Sequence, residues 1–362
     1  MTHIPSDDLL ALSRAILVAW GMADDAAAET AHLLVETDLR AIDSHGVSML
    51  PMYEQMHRNG TLNMRPVPRV VRETPVMALL DADRGLGHPV ASDAMRLACD
   101  KARAMGIGAV GVRNSHHFGA TGLYAEMAAQ QGLIGFVTSS TSVAGVIPTH
   151  GANPLLGTNP IAFAAPGATQ GPFLLDMSTS TVAVNKVKVY ALNDKPLPAG
   201  WVVDGRGRTV LDSAQALAMC HAQKEGGLMP LGGETERGGH KGYGLAVMVQ
   251  ILSSALTGGS FSPVRNASAT GPVPHNIGHF FLAIDPAAFR DAGEFERDVD
   301  EVLGVLKSSQ PADAATPVQV AGDPERSARA TRAVEGVPMP DSLLAQLRSI
   351  AGNAGVPYNL AA

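Results

Sequence analysis

Apolar residues recur at helical spacing in the first 60 residues, and acidic residues stand where helices would begin. Asp7 and Asp8 favour a helix N-terminus, and Gly46 is a natural helix terminator. The segment 25–43 places five apolar residues on one helical face: Ala31, Leu34, Val35, Leu39 and Ile42. The pattern predicts a helical N-terminal region in which one helix ends close to residue 43.

Short apolar runs bounded by glycine alternate with helical segments beyond residue 70. The runs predict strands over 70–83, 107–115, 133–140 and 279–285. Helical spacing predicts helices over 90–105, 121–131, 240–256, 286–308 and 341–353. Residues 141–171 are rich in Gly, Pro, Asn and Thr, which predicts packed loops around a site, and Asp204-Gly205 predicts a hairpin turn. This alternation indicates an α/β chain.

The composition is that of a folded protein with a sizeable core. The 362 residues are 46% hydrophobic and 17% charged, and at about 150 residues per domain they predict one large domain or two to three modest ones. The formal net charge is −7 and no basic cluster occurs, which argues against a nucleic-acid surface. The longest apolar run, 242–256, is shorter than the ~20 residues of a bilayer span, so it predicts a buried helix and no membrane partner.

Cysteine use and the N-terminus predict a cytoplasmic location. Cys99 and Cys220 cannot form a disulfide framework, and the first 21 residues lack the basic head and cleavage site of a signal peptide. Both features are typical of a reducing compartment.

The run Gly106-Ile107-Gly108-Ala109-Val110-Gly111 has the spacing of a dinucleotide-binding loop, but its context is wrong. Such a loop needs a strand before the glycines and a helix after them, so that phosphate meets free helix N–H groups. Here a predicted helix precedes the run and a strand contains it. We therefore interpret Gly106 as a helix C-cap and expect no Rossmann loop.

Two histidine motifs are candidates for acid/base chemistry. Asp43-Ser44-His45-Gly46 follows a predicted helix, whose C-terminal partial charge would favour a protonated imidazole; the alternative is a plain helix cap. In Asn114-Ser115-His116-His117 the neighbouring histidines point to opposite sides, so only one can face a site at the end of the strand. His275 and His279 are separated by Gly278, and the chain has neither HExxH nor CxxC, so no metal site is expected.

Polar loops next to apolar runs are candidates for ligand binding. Thr158 and Asn159 lie in one loop, and Asp176-Met177-Ser178 in another; ordinary turn chemistry explains them equally well. Gly238-Gly239-His240-Lys241-Gly242 opens a predicted helix, where glycines and a lysine suit a phosphate, although a solvated lysine is the alternative.

Five segments together resemble the type 2 malate/L-lactate dehydrogenase family. They are DLRAIDSHGV (38–47), VRNSHHFGATG (112–122), GTNPIAFAAPG (157–167), LLDMSTS (174–180) and GGHKGYGLAVMVQILSSALTG (238–258). The resemblance extends over about residues 9–356. It implies a three-domain, non-Rossmann NAD(P)-binding fold of the α/β (α+β-like) class, with a central, largely antiparallel mixed sheet flanked by helices, and a homodimer with sites near the interface.

We expect three discontinuous domains. A mainly helical one would comprise residues 1–70 and 311–362, a cofactor-binding sheet domain residues 71–125 and 172–310, and a smaller loop-rich one residues 126–171.

The resemblance also assigns roles to individual residues. His45 matches the family's proton donor, with Ser44 in its relay, and His117 matches a histidine given acid/base or cofactor-contact roles. Thr158 matches a substrate contact, and we expect Asn159 to position substrate beside it. The segments that match cofactor contacts comprise His117, Phe118, Gly119, Ala120, Thr121, Thr141, Asp176, Met177, Ser178, His240, Lys241, Gly242, Gly322, Asp323 and Pro324.

Two residues depart from the family pattern. Many members carry an arginine four residues after the SHG histidine, where it can bind a substrate carboxylate, but this chain has Met49. In cyclic imino acid reductases an aspartate lies ten residues after the Asp of LLDMSTS, whereas this chain has Lys186. A cationic neighbour suits a carboxylate better than an iminium, so Lys186 favours 2-hydroxy acid chemistry and is a candidate substrate contact.

The sequence thus predicts reversible hydride transfer between NAD(H) or NADP(H) and a small 2-oxo/2-hydroxy acid, with His45 moving the proton. One alternative is an NADPH-dependent reductase of cyclic imino acids such as piperideine- or pyrroline-2-carboxylate. A second alternative, which Met49 favours, is a catalytically silent homologue that only binds ligand.

Overall fold

The two ends of the chain meet in one helical layer. The computed structural model describes residues 2–267 and 269–360, except for the side chain of Leu192. The N-terminal elements are β1 (Thr2–Ile4), α1 (Ser6–Ala19), α2 (Asp24–Leu39) and α3 (Leu50–Arg58). The C-terminal elements are α11 (Asp323–Glu335), β11 (Val337–Met339) and α12 (Asp341–Ala354). β1 pairs with β11, and apolar side chains from both ends form one hydrophobic cluster.

A seven-stranded sheet forms the centre of the molecule. In spatial order its strands are β2 (Arg69–Glu73), β3 (Met77–Asp81), β4 (Ile107–Ser115), β10 (Ile277–Ile284), β5 (Ile134–Ser139), β6 (Ile161–Ala165) and β7 (Phe173–Met177). Only β3 and β4 run parallel, while every other pair is antiparallel. This confirms the predicted mixed, largely antiparallel sheet.

Two helices cover the sheet and bury a second cluster of apolar side chains. These are α4 (Gly87–Met105) and α5 (Gly122–Ala129). Gly108 in β4 permits close packing, because a Cβ atom there would lie 2.1 Å from the carbonyl oxygen of Ala98 in α4. Gly106 caps α4 with a φ of 84°, as the sequence predicts. No dinucleotide loop forms at this point.

A third cluster lies beside the sheet. It is built from α6 (Val184–Leu192), α7 (Ser213–Ala222), α8 (Gly239–Gln250) and the short strands β8 (Val202–Val203) and β9 (Gly227–Leu228). A π-helical segment, Ile251–Ala255, continues α8, and α9 (Ser262–Ala267) and α10 (Glu294–Lys307) follow. The predicted domain boundaries stay a prediction.

Several predicted elements differ from the structure. The predicted strand 70–83 is two strands, β2 and β3, and the loop region 141–171 contains β6. The helix predicted over 286–308 begins only at Glu294, since Gly293 adopts a left-handed φ of 77° before it. The segment 242–256 is predicted to be a buried helix, but two of its apolar residues are exposed. The exposed fraction is 55% for Ile251 and 62% for Leu256. Within the described ranges no helix has the length and apolarity needed to cross a membrane.

Candidate active site

A cavity of about 480 Å³ lies at one edge of the central sheet. Because β5 and β7 run opposite to β6, the chain segments that follow β5 and β7 meet the segment that precedes β6. The segment after β4 reaches the same edge, since β4 and β5 are both antiparallel to β10. The loop after α2 closes the cavity. Sheet topology thus gathers the segment after β4, both ends of the β5–β6 connection and the segment after β7, and the loop after α2 joins them.

Two histidines face each other in this cavity. The rings of His45 and His117 stack with centroids 5.5 Å apart and an interplanar angle of 27°. Ser44 Oγ lies 2.7 Å from His45 Nδ1, which leaves Nε2 as the other ring nitrogen available to a ligand. Burial lowers the pKa of His45 below its ordinary 6.5. The neutral ring is therefore the resting form at pH 7.

The tautomer of His117 follows from its hydrogen bonds. The Gly119 N–H donates to Nδ1 at 3.3 Å, and Tyr53 Oη lies 2.7 Å from the same nitrogen. A backbone N–H can only donate, so Nδ1 is an acceptor and the neutral ring carries its proton on Nε2. Burial, with the nearby histidines adding to it, holds the pKa of His117 well below 6.5. His116 points away and packs against His275, with centroids 5.1 Å apart.

Two residues outside the cavity lining, Asp38 and Arg332, hold the loop that carries His45. Asp38 Oδ2 accepts from the Val47 N–H at 2.8 Å, and a Cβ atom on Gly46 would lie 1.9 Å from Asp38 Oδ1. Burial raises the pKa of Asp38 to about 8. Arg332 from α11 donates to the Asp38 carbonyl at 2.6 Å and pairs with the carboxylate of Asp43.

This geometry corrects one sequence expectation. Helix α2 ends at Leu39, so His45 lies in a turn beyond it rather than at a helix C-terminus. No helix charge stabilises a protonated ring there. Desolvation governs His45 instead, and its pKa moves in the opposite direction from the one expected.

The remaining walls have the donor chemistry that a dinucleotide requires. The lining hydroxyls of Thr121, Ser142 and Thr158 make no hydrogen bond within the described part of the chain, so a ligand can use them. Asp176 and Glu325 offer carboxylate oxygens, which suit ribose hydroxyls. Asp176 already accepts from the Gly122 N–H at 2.7 Å, and burial raises its pKa to about 6. These residues fit the ribose hydroxyls of a nicotinamide dinucleotide.

The structure brings most of the predicted site residues to the cavity. Those in its lining are Ser44, His45, His117, Phe118, Gly119, Ala120, Thr121, Thr141, Thr158, Asp176, Met177 and Ser178. Met49 also lines it.

The other predicted site residues lie outside this lining. The Asn159 amide is buried and donates to the Ala246 carbonyl at 2.9 Å. Lys186 is exposed, with Nζ 5.4 Å from the Trp201 ring centroid. Asp323 pairs with Lys307 at 3.1 Å. His240 and Lys241 are exposed and do not line the cavity. The lining also excludes Gly242, Gly322 and Pro324.

Sequence reasoning missed several residues of the site. The hydroxyl run 139–142, which begins at the last residue of β5, is a signal that could have identified Ser139, Ser140 and Ser142. Tyr53 and Asp38 carry no such signal, because one lies on a helix and the other within a helix C-terminus, and only the fold brings them to the histidines.

Comparison with known proteins identifies the family. A sequence profile described as malate/L-lactate dehydrogenase matches residues 4–348. The chain belongs to this family. It is 39% identical over 356 residues to a malate dehydrogenase of Pyrococcus abyssi, covering 98% of this chain and 95% of the relative. It is 35% identical to an L-sulfolactate dehydrogenase of Methanocaldococcus jannaschii over 94% of both chains.

Solved structures agree with this assignment. The malate dehydrogenase of Pyrococcus horikoshii superposes with a TM-score of 0.87 at 37% identity, over 98% of this chain and 96% of that one. Cyclic imino acid reductases are also among the relatives. This chain is therefore an oxidoreductase of 2-hydroxy acids that uses NAD or NADP.

Proposed function

We propose that the cavity catalyses reversible hydride transfer at C2 of a small 2-oxo/2-hydroxy acid, with His45 as the acid/base. The observation that supports this most directly is the His45–His117 pair, which shares one cavity with Ser44 bound to His45 Nδ1. NAD or NADP, when bound, supplies the hydride acceptor for oxidation and the hydride donor for reduction.

In this proposal His45 moves the proton through Nε2. During oxidation the substrate hydroxyl gives its proton to neutral Nε2 as the hydride leaves C2, and during reduction Nε2–H returns a proton to the oxygen. Ser44 is a positioning residue that fixes the orientation of the ring through Nδ1. The Nε2–H of His117 donates to a substrate oxygen, which its neutral tautomer allows.

The lining hydroxyls and carboxylates would hold the cofactor and substrate. We assign substrate contact to Thr158, and cofactor contact to residues 117–121, Thr141 and residues 176–178, all of which line the cavity. Some predicted roles belong to residues outside the lining and stay predictions. These residues are Asn159, Lys186, residues 240–242 and residues 322–324.

The test is a paired assay of the purified protein. Pyruvate, oxaloacetate and phenylpyruvate, each with NADH and with NADPH, should be reduced, and His45→Ala should lower turnover by about 10²–10⁴. Calorimetric titration of the cofactor should show nearly the same affinity for both proteins. Turnover of His45→Ala at the wild-type rate would remove His45 from the mechanism.

Reduction of cyclic imino acids is the second candidate, because reductases of this kind are among the relatives. Piperideine- and pyrroline-2-carboxylate belong in the same assay. A higher kcat/KM for these imines than for every 2-oxo acid would favour the second candidate.

We also propose a homodimer, supported by an apolar stripe on α8, the π-helical segment and the residue that follows it. Its members Leu245, Met248, Ile251 and Leu256 are each at least 36% exposed. Apolar patches of this kind are typical of interfaces between subunits. Sedimentation of the wild type as a dimer and of Ile251→Lys as a monomer would support the proposal, and a monomeric wild type would contradict it.

We also propose a cytoplasmic location. Cys99 and Cys220 are both free and buried, which suits a reducing compartment. Fractionation of the producing cells, with activity recovered in the cytoplasmic fraction, would test it.

A further inference from the structure

The cavity holds no formal positive charge. Among the described residues that line it there is neither lysine nor arginine, and the two acidic residues are Asp176 and Glu325. The only other ionisable side chains in the lining are His45 and His117, and burial favours the neutral form of both. The walls of the cavity are therefore neutral to negative at pH 7.

Three arginines that lie next to lining segments in the chain or contact them have other partners. Arg40 Nη2 lies 2.7 Å from Glu126 Oε2, and Arg332 pairs with Asp43. Arg265 donates to the Ser142 carbonyl at 2.7 Å and to Asn266 Oδ1. None of the three presents its guanidinium in the lining.

An apolar side chain stands close to the acid/base residue. Met49 lies four residues after His45, and Ile42 lies three residues before it; all three line the same cavity. Met49 and Ile42 also pack against the hydrophobic clusters behind them, so they form a fixed apolar wall. A charged substituent placed against this wall would lose its hydration without gaining a counter-ion.

Neutral donors can still hold one carboxylate. The available hydroxyls of Ser142 and Thr158 and the Nε2–H of His117 supply hydrogen bonds without charge. A second anionic group would have to share these donors, and no lysine or arginine of the described lining would offset its charge.

We infer that this site prefers 2-oxo and 2-hydroxy acids carrying a single negative charge, with Met49 as the residue that selects an uncharged substituent. The inference rests on the proposed function and narrows its substrate class. It separates this chain from relatives named for malate and sulfolactate, which are dianions.

The decisive comparison uses two substrates of nearly the same shape. Oxaloacetate is a dianion, and 2-oxosuccinamate, its monoamide, carries one charge fewer. We expect the wild-type enzyme with saturating NADH or NADPH to show a kcat/KM at least about tenfold higher for 2-oxosuccinamate. A ratio near one, or a preference for oxaloacetate, would overturn the inference and leave the proposed function intact. If the enzyme reduces none of oxaloacetate, 2-oxosuccinamate and pyruvate, both the inference and the proposed function are overturned.

Two variants test the role of Met49. Met49→Arg introduces a cation beside His45 and should raise the oxaloacetate to 2-oxosuccinamate ratio by about tenfold or more. Met49→Gln is the matched control, because it adds polarity and similar length without charge and should leave that ratio within about twofold of the wild type. Equal ratios for Met49→Arg and Met49→Gln would remove Met49 from substrate selection. Should Met49→Arg fail to fold by circular dichroism, the wild-type comparison decides the inference alone.

Discussion

Tyr53 Oη lies 2.7 Å from Nδ1 of His117, and this contact joins the third helix of the N-terminal layer to the sheet edge. Tyr53 is fully buried, so its hydroxyl has no access to solvent. The contact holds the imidazole ring and, with the Gly119 N–H, keeps its proton on Nε2.

Tyr53→Phe should therefore lower kcat as well as the free energy of unfolding. The ring still fills its site, and the loss of one buried hydrogen bond costs about 1–2 kcal/mol of unfolding free energy. Without the hydroxyl His117 is less restrained, and we expect kcat to fall about tenfold. Steady-state kinetics and urea unfolding measure the two effects. Tyr358→Phe is the control. The Tyr358 hydroxyl donates to the Leu344 carbonyl, which is outside the cavity lining, so its loss should leave kcat unchanged.

The two reaction directions should respond oppositely to pH. Oxidation needs neutral His45, and because burial lowers the pKa of His45 below 6.5, kcat/KM for oxidation should fall only in acid below that value. Reduction needs the protonated ring, so its kcat/KM should rise as the pH falls through the same range. Profiles of kcat/KM in both directions check this. An oxidation profile that loses activity already above pH 7 would contradict it.

Asp38 should make the protein less stable as the pH rises from about 4 to about 8. Burial raises the pKa of this carboxyl to about 8 in the folded chain, so over this interval the folded state binds more protons than the unfolded state. Asp38→Asn removes the titration and keeps an acceptor for the Val47 N–H. Between pH 6 and pH 8 the wild type should lose unfolding free energy through this titration and the variant should not. The stability of Asp38→Asn relative to the wild type should therefore rise over this interval. Guanidinium unfolding at the two pH values measures the difference, and a constant difference would contradict the assignment.

Gly46→Ala should be strongly destabilising. The new Cβ would lie 1.9 Å from Asp38 Oδ1, so either the carboxyl or the His45 loop must shift, at a cost of about 1–3 kcal/mol. Activity should fall as well because His45 moves with the loop. Gly352→Ala is the matched control: it lies within α12 with nothing within 4 Å, and it should gain about 0.5–1 kcal/mol. Equal melting temperatures for the two variants would show that a Cβ atom fits at position 46 without a shift of its neighbours.

The sequence predicts the local parts of this structure well. Apolar period and glycine boundaries identify β4, β5, α4 and α12, and motif order identifies the histidines. Placement across the chain is less predictable. Asp38 and Tyr53 act on the site only because the helical layer packs on the sheet edge, and no local pattern encodes that contact. The pKa of His45 was expected to move upward because the length of α2 was overestimated by about one turn.

The pairing of Arg332 with Asp43 joins residues 289 positions apart. The β1–β11 ladder joins the two ends of the chain in the same layer. α11 and β11 follow all the strands of the central sheet in the chain, so a ribosome makes this support for the His45 loop only after it has made the sheet. The position of the proposed proton-transfer residue therefore depends on a segment that is synthesised after the sheet that forms the rest of the cavity.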